Sequence, residues 1–356
     1  MSSWQGMASV TLVGSMPHQD RKKAIELILQ CAPEIPVWPQ LSAFKAEQMM
    51  LQYLEGLPGI GANSGELVIR TDSAQFDPEL YSFYEEYLEV EAGTRSLTES
   101  RFKLGEETGR TFYQFVELLD RANLPCRAVK GQIVGPFTLL SGLKDQQDRA
   151  LLYDERLLDV VVKHLAMKAK WQILQLHSLG LPVILFLDEP ALAGFGSSAF
   201  ISVSRELVHG LLTEVVDAVH AAGGLAGVHI CANTDWLLAF DSGVDIINFD
   251  TYNYFDRFIL YKDNIHQFLA KNKILAWGIV PTSDPQIIAR ETPQSLADRW
   301  TMLASRLCEN GVDLKDILAH SLFTPSCGCG SLSEEMAERV LALTRGVGDI
   351  IQTQLK

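Results

Sequence analysis

Nowhere does this chain run to about 20 consecutive apolar residues, the length a helix needs to cross a bilayer. The opening MSSWQGMASVTLVGSMPHQD also lacks the basic start and unbroken apolar core of a secretory signal. Both absences argue against membrane insertion and export, and the protein is expected to stay in the cytoplasm. Basic charge is scarce as well: 30 Lys and Arg stand against 44 Asp and Glu, a formal net charge of −14. That balance leaves no electrostatic footprint for DNA, RNA or anionic lipid, and directs attention to a small molecule or a protein partner. Acidity is also the ordinary state of many cytoplasmic enzymes.

Cysteine is sparse, with only Cys31, Cys126, Cys231, Cys308, Cys327 and Cys329. In a reducing compartment clustered cysteines read as metal ligands or reactive thiols rather than as a disulfide framework. Isolated ones in apolar surroundings, such as Cys31, Cys126 and Cys308, read as core. Low-complexity tracts, long linkers and short repeats are missing too.

What is present is a 356-residue chain with 47% hydrophobic and 21% charged residues, enough to bury a large core unaided. α/β barrels often exceed 250 residues as one unit, so a single domain over residues 1–356 is expected. Short apolar runs alternate with longer amphipathic stretches, which argues for a parallel sheet wrapped in helices. The candidate strands are Ser9–Val13, Ile35–Trp38, Arg127–Val134, Pro182–Leu187, Leu225–Val228, Asp245–Phe249, Lys273–Ile279 and Asp316–Phe323. Eight strands predict an α/β fold of the (β/α)8 TIM-barrel type. The segment of about 57–124, with its strand-like ELVIR run and two helical stretches, is too long for a βα connection. It reads as an insertion between strands two and three that covers the barrel mouth.

Barrels carry their chemistry at the C-terminal ends of the strands. Here those ends are polar: Ser15 and His18 follow the first strand, Gln40 the second, Asp188 and Glu189 the fourth, His229 and Cys231 the fifth, Asp250 the sixth, and Cys327 and Cys329 the eighth. His229 and Cys231 form an H-x-C pair, and residues two apart on an extended backbone point the same way. Cys327 returns to the same ring from the last strand. Two thiolates and an imidazole suit zinc, and three protein ligands would leave a fourth position for a substrate. The spacing alone leaves open a plainer alternative, in which His229 is a satisfied core histidine and the cysteines merely pack.

Four segments carry a resemblance. LVGSMPH (Leu12–His18), KGQIVGPFTLL (Lys130–Leu140), FLDEPAL (Phe186–Leu192), and VHIC (Val228–Cys231) taken with TPSCGCG (Thr324–Gly330) are similar to the G-S-x-P, G-P-x-T, D-E-P-A-L and zinc motifs of one family. That family is the C-terminal catalytic barrel of cobalamin-independent methionine synthase, in the superfamily that includes uroporphyrinogen decarboxylase and corrinoid-dependent thiol methyltransferases. The resemblance implies a zinc-dependent methyltransferase acting on a thiol, with His229, Cys231 and Cys327 as ligands. It also implies that Ser15 holds a substrate carboxylate and Asp188 a substrate amino group. Cys329 is a departure from the family's pattern, either a spare ligand or nothing. The family's glutamate ligand after the sixth strand corresponds to Asp250, one methylene shorter, whose alternative role is to cap the following loop.

Homocysteine, giving methionine, is the acceptor the resemblance implies. The synthase's N-terminal barrel, which contributes to folate binding, has no counterpart before Leu12, and the basic surface a polyglutamylated folate would want is missing. The expected donor is therefore methylcobalamin or another methylcorrinoid, free or on a carrier protein, with folate second. His18 and Gln132 are candidates for steering it. Three alternatives stay open: a uroporphyrinogen decarboxylase-like enzyme, against which the H-x-C pair counts; a methyltransferase for coenzyme M or a similar thiol; and a catalytically silent zinc- or corrinoid-binding partner.

Overall fold

The computed structural model describes residues 4–63, 66–122, 124–309 and 312–353. Runs such as VILFLD (Val183–Asp188) and ILAWGIV (Ile274–Val280) are buried along their whole length. Strands covered on both faces read this way, as near-continuous apolar segments. They join a curled parallel sheet of seven strands in the order Ser9–Val10, Ser321–Pro325, Ile274–Val280, Ile246–Phe249, Leu225–Ile230, Val183–Asp188, Val129–Val134. From Val129–Val134 to Ser321–Pro325 neighbours in sequence are neighbours in space, linked by the helical crossovers that parallel pairing requires, and Ser9–Val10 pairs with the last strand.

Two cores result. On the inner face Ile184, Phe186, Ile246, Ala276 and Leu322 meet Ile35 and Ala128. The second, larger core lies between the outer face and the helices, and includes Trp171, Trp277 and Trp300. Gly227 is dictated by the inner packing, because a Cβ there would lie 2.2 Å from the Phe186 ring.

The eight-stranded ring expected from the sequence is not what the hydrogen bonds build. Ile35–Trp38 forms no strand: Val37 makes an isolated parallel bridge to Lys130, and further on Gln40–Leu41 pairs with Ser15–Met16. Pro36 and Pro39 are the reason, since each removes a donor from the ladder. Ile35 and Trp38 are nevertheless fully buried. The last strand also starts later than expected. Leu314–Ala319 is helical, started by a capping box in which Asp313 accepts from the Asp316 amide and Asp316 answers. Only Ser321–Pro325 is extended.

Within 57–124 an antiparallel hairpin, Ile60–Asn63 with Glu66–Ile69, precedes the helices Phe76–Glu91 and Arg110–Arg121. Phe83 and Phe102 pack on His164 of the long helix Glu155–His177, and Phe112 packs on Trp38 and Trp171. These contacts run along the flank of the sheet. Among the described residues no helix is long and apolar enough to cross a membrane.

Candidate metal centre

Strand register assembles the site. Asp188 lies opposite His229, and His229 opposite Asn248, on three adjacent strands. Alternation then continues each inward row: Ile184 and Phe186 lead to Asp188, Gly227 to His229 and on to Cys231, Ile246 to Asn248. Apolar side chains fill the strand starts and polar ones close the ends. Cys327 reaches the same place from the turn after Ser321–Pro325.

One nitrogen of His229 and the sulfurs of Cys231 and Cys327 all lie within 4.8 Å of one another. The His229 ring is 3% exposed and its Nε2 has no hydrogen-bond partner. Its Nδ1 lies 2.6 Å from Asn248 Oδ1, while Asn248 Nδ2 donates to Ala276 O and Thr324 Oγ1, both at 2.8 Å. With its amide nitrogen committed to two acceptors, Asn248 offers only its oxygen to the ring. Nδ1 therefore carries the proton and Nε2 presents a lone pair, the tautomer a metal ligand needs. Hydrogen bonding to the Cys327 thiol holds Cys231 well below the ordinary thiol range. The same contact pushes Cys327 up. An unpartnered imidazole nitrogen beside two thiols that share a proton is a donor set that fits zinc.

Cys329 stands outside this group. It is 2% exposed, and burial pushes its thiol up to about 12. Asp250 is outside it too. Its Oδ1 accepts from the Asn253 amide at 2.9 Å and its Oδ2 from Asn253 Nδ2 at 2.8 Å, so the carboxylate caps the helix Thr251–Phe258.

The three candidate ligands border a cavity of about 90 Å³, shared with Val13, Ser15, Gln40, Met49, Asp188, Pro190 and Gly328. None of these residues comes from 57–124. Asp188 is 6% exposed, its Oδ1 is unpartnered, and burial pushes its carboxyl up to about 6 against the pull of His229 and Lys130. Ser15 is held by the turn that carries Cys327. Its carbonyl accepts from the Cys329 amide at 2.9 Å and its Oγ from the Gly330 amide at 3.4 Å. A Cβ on Gly328 would lie 1.9 Å from Ser15 Oγ, so only glycine fits between the two cysteines. A larger cleft of about 270 Å³ beside Phe240, Gly243 and Lys273 lies at the strand starts, the end that carries stability rather than chemistry in such folds.

Of the two residues expected to steer a donor, Gln132 is buried with Nε2 on Trp38 O, and His18 is buried facing Glu338. Neither lines the cavity. Three supporting residues were not singled out from the sequence: Asn248, Lys130, and Glu189 in its actual role. Lys130 is fully buried, donates to Val13 O at 2.8 Å and lies 4.4 Å from the Phe186 ring centre. Glu189 accepts from the Phe137 and Thr138 amides and from Thr138 Oγ1 at 2.6–2.9 Å, tying the G-P-x-T turn to the D-E-P turn. Asn248 was legible in principle, since it precedes Asp250 by two on the same face. The other two appear in their motifs, but only the fold gives them partners.

No family model matches the chain, and no curated protein matches it by sequence. Solved structures do. A methyltransferase from Methanosarcina mazei is 13% identical with a TM-score of 0.50, over 95% of this chain and 93% of that one. A protein from Listeria monocytogenes, assigned as a vitamin-B12-independent methionine synthase, is 15% identical with a TM-score of 0.51, over 93% and 85%. A pneumococcal exo-β-D-N-acetylglucosaminidase module is similar at 10% identity and a TM-score of 0.49, a level that carries no argument. At these identities the likeness is one of fold: this chain shares the architecture of a methyltransferase and of a methionine synthase-like protein.

Proposed function

We propose that this protein is a zinc-dependent methyltransferase that moves a methyl group to a thiol, with homocysteine as acceptor and a methylcorrinoid as donor. One observation carries the reading: the His229, Cys231 and Cys327 donor atoms converge within 4.8 Å beside a small cavity that also exposes an unpartnered buried carboxylate. His229, Cys231 and Cys327 would hold the ion, which when bound favours the thiolate over the thiol at neutral pH. The residues around it bind and orient. Asp188 is buried without an ion-pair partner on Oδ1, so a substrate ammonium would favour its charged form. Ser15, at the same cavity, offers a hydroxyl to the substrate carboxylate. Val13, Met49 and Pro190 supply apolar wall that keeps water from the reacting sulfur.

The acceptor end is tested by metal analysis and by competing thiols. Wild type should bind about one zinc per chain at this centre, and Cys231→Ser or Cys327→Ser should lose it, whereas Cys329→Ser should keep it. Full zinc at the centre in both of the first two variants would overturn the ligand assignment. With methylcobalamin as donor, homocysteine should be methylated at a higher kcat/KM than coenzyme M, which has no amine. Asp188→Asn should narrow that preference by about 1–3 kcal/mol, the range for a lost charged hydrogen bond. Faster turnover of coenzyme M would remove the amino-acid assignment while leaving the thiol chemistry in place.

A further inference from the structure

His18 is fully buried, and neither of its ring nitrogens has a hydrogen-bond partner. A buried polar group left unmatched costs about 1–3 kcal/mol and calls for a water, an ion or a function to explain it. Nε2 is aimed at Glu338 Oε1, 3.5 Å away. That separation is long for an imidazole–carboxylate hydrogen bond. It is close to the edge of a tetrahedral site, where two ligands at 2.0–2.1 Å from one ion sit about 3.4 Å apart. Glu334 and Glu338 are one turn apart on the helix Glu334–Gln352, so both carboxylates lie on the same face, and the His18, Glu334 and Glu338 donor atoms all lie within 4.8 Å of each other.

A cation already sits there. Lys23 Nζ is 2.7 Å from the same Glu338 Oε1 that faces His18 and 3.5 Å from Glu334 Oε2. The ammonium neutralises the two carboxylates, but neither ring nitrogen of His18 accepts from it. A divalent ion can use all three donors. Imidazole with two carboxylates suits zinc, cobalt or nickel rather than calcium or magnesium.

We propose that His18, Glu334 and Glu338 form a second divalent-cation site, separate from the thiolate centre, in which Lys23 is a displaceable placeholder. It would join the turn that carries Ser15 to the helix that follows Cys327. One link there already exists, since the Gln19 amide donates to Glu334 Oε1 at 3.3 Å. An ion at this place fastens two of the segments that build the cavity.

Cobalt titration of the full-length protein tests this, because thiolate ligands give Co²⁺ an intense near-ultraviolet charge-transfer band and imidazole–carboxylate ligands do not. Two classes of bound Co²⁺ are expected, one with that band and one with weak visible absorption alone. Glu338→Gln and His18→Ala should each weaken only the second class, by roughly tenfold or more, since even indirect partners of a metal ligand are worth that much. Lys23→Met should tighten it by removing the competing ammonium. Binding confined to the charge-transfer class, a second class indifferent to Glu338→Gln, or looser binding in Lys23→Met would each overturn the proposal. Loss of the charge-transfer class with the second intact would instead count against the zinc–thiolate reading of the main site.

Discussion

Asn248 permits a prediction in which stability and metal affinity part company. Its side chain makes three buried hydrogen bonds, accepting from His229 Nδ1 at 2.6 Å and donating to Ala276 O and Thr324 Oγ1 at 2.8 Å. Asn248→Ala removes all three. Thr324 Oγ1 can turn to another partner and the Ala276 carbonyl stays in the ladder with Ile246–Phe249, but the His229 Nδ1–H is left buried and unmatched, at about 1–3 kcal/mol. The metal-free variant should therefore lose about 1–3 kcal/mol of unfolding free energy, read from urea denaturation. Zinc affinity should fall about 10–100-fold, because the imidazole loses the acceptor that fixes its tautomer and raises its basicity. Asn248→Asp separates the two effects. It keeps an oxygen for Nδ1–H, now with a negative charge, but cannot donate to Ala276 or Thr324. It should be destabilised yet hold zinc within a few-fold of wild type. Competition against a chromophoric chelator measures the affinities. If Asn248→Ala binds zinc like wild type, or if Asn248→Asp loses zinc as severely as Asn248→Ala, then Asn248 does not work through the imidazole and the argument for Nε2 as the ligand atom fails.

Two further predictions concern carboxylates near the centre. Asp250→Ala should cost about 0.5–2 kcal/mol through loss of the cap on Thr251–Phe258 and leave zinc stoichiometry unchanged; a metal-free variant would show that the carboxylate moves onto the ion. Burial pushes the Glu189 carboxyl up to about 7, against hydrogen bonds from Phe137 and Thr138 that favour its charge. A carboxyl raised in the folded state binds protons more tightly there than when unfolded, so its stabilising contribution is complete below the unfolded value near 4.3 and is lost as pH rises through about 7. Glu189→Gln should flatten the fall in unfolding free energy between pH 4.5 and 7; an unchanged slope would assign that fall to other groups.

The parallel sheet and the polar strand ends were decided locally. Fully buried strands leave apolar runs that bracket them in the sequence, and two-residue alternation is enough to put His229 and Cys231 on one side. Local rules also contained the correction at the second strand, since Pro36 and Pro39 withhold the donors a ladder needs. They contained the cap at Asp250 as well, because an aspartate before a helix is a common N-cap. What no local rule supplies is which distant residues meet. Cys327 and Cys329 stand two apart in one turn, and only the curl of the sheet brings the first to His229 and Cys231 while burying the second away from them. Asn248 reads as one more strand residue until strand register sets it opposite His229 and its two amide acceptors fix which way it points. His18 and Glu338 are 320 positions apart, and their meeting depends on the C-terminal helix packing beside the first. Secondary structure follows from periodicity and backbone sterics within a few residues, whereas a site depends on register and sheet curvature, which the whole core sets at once.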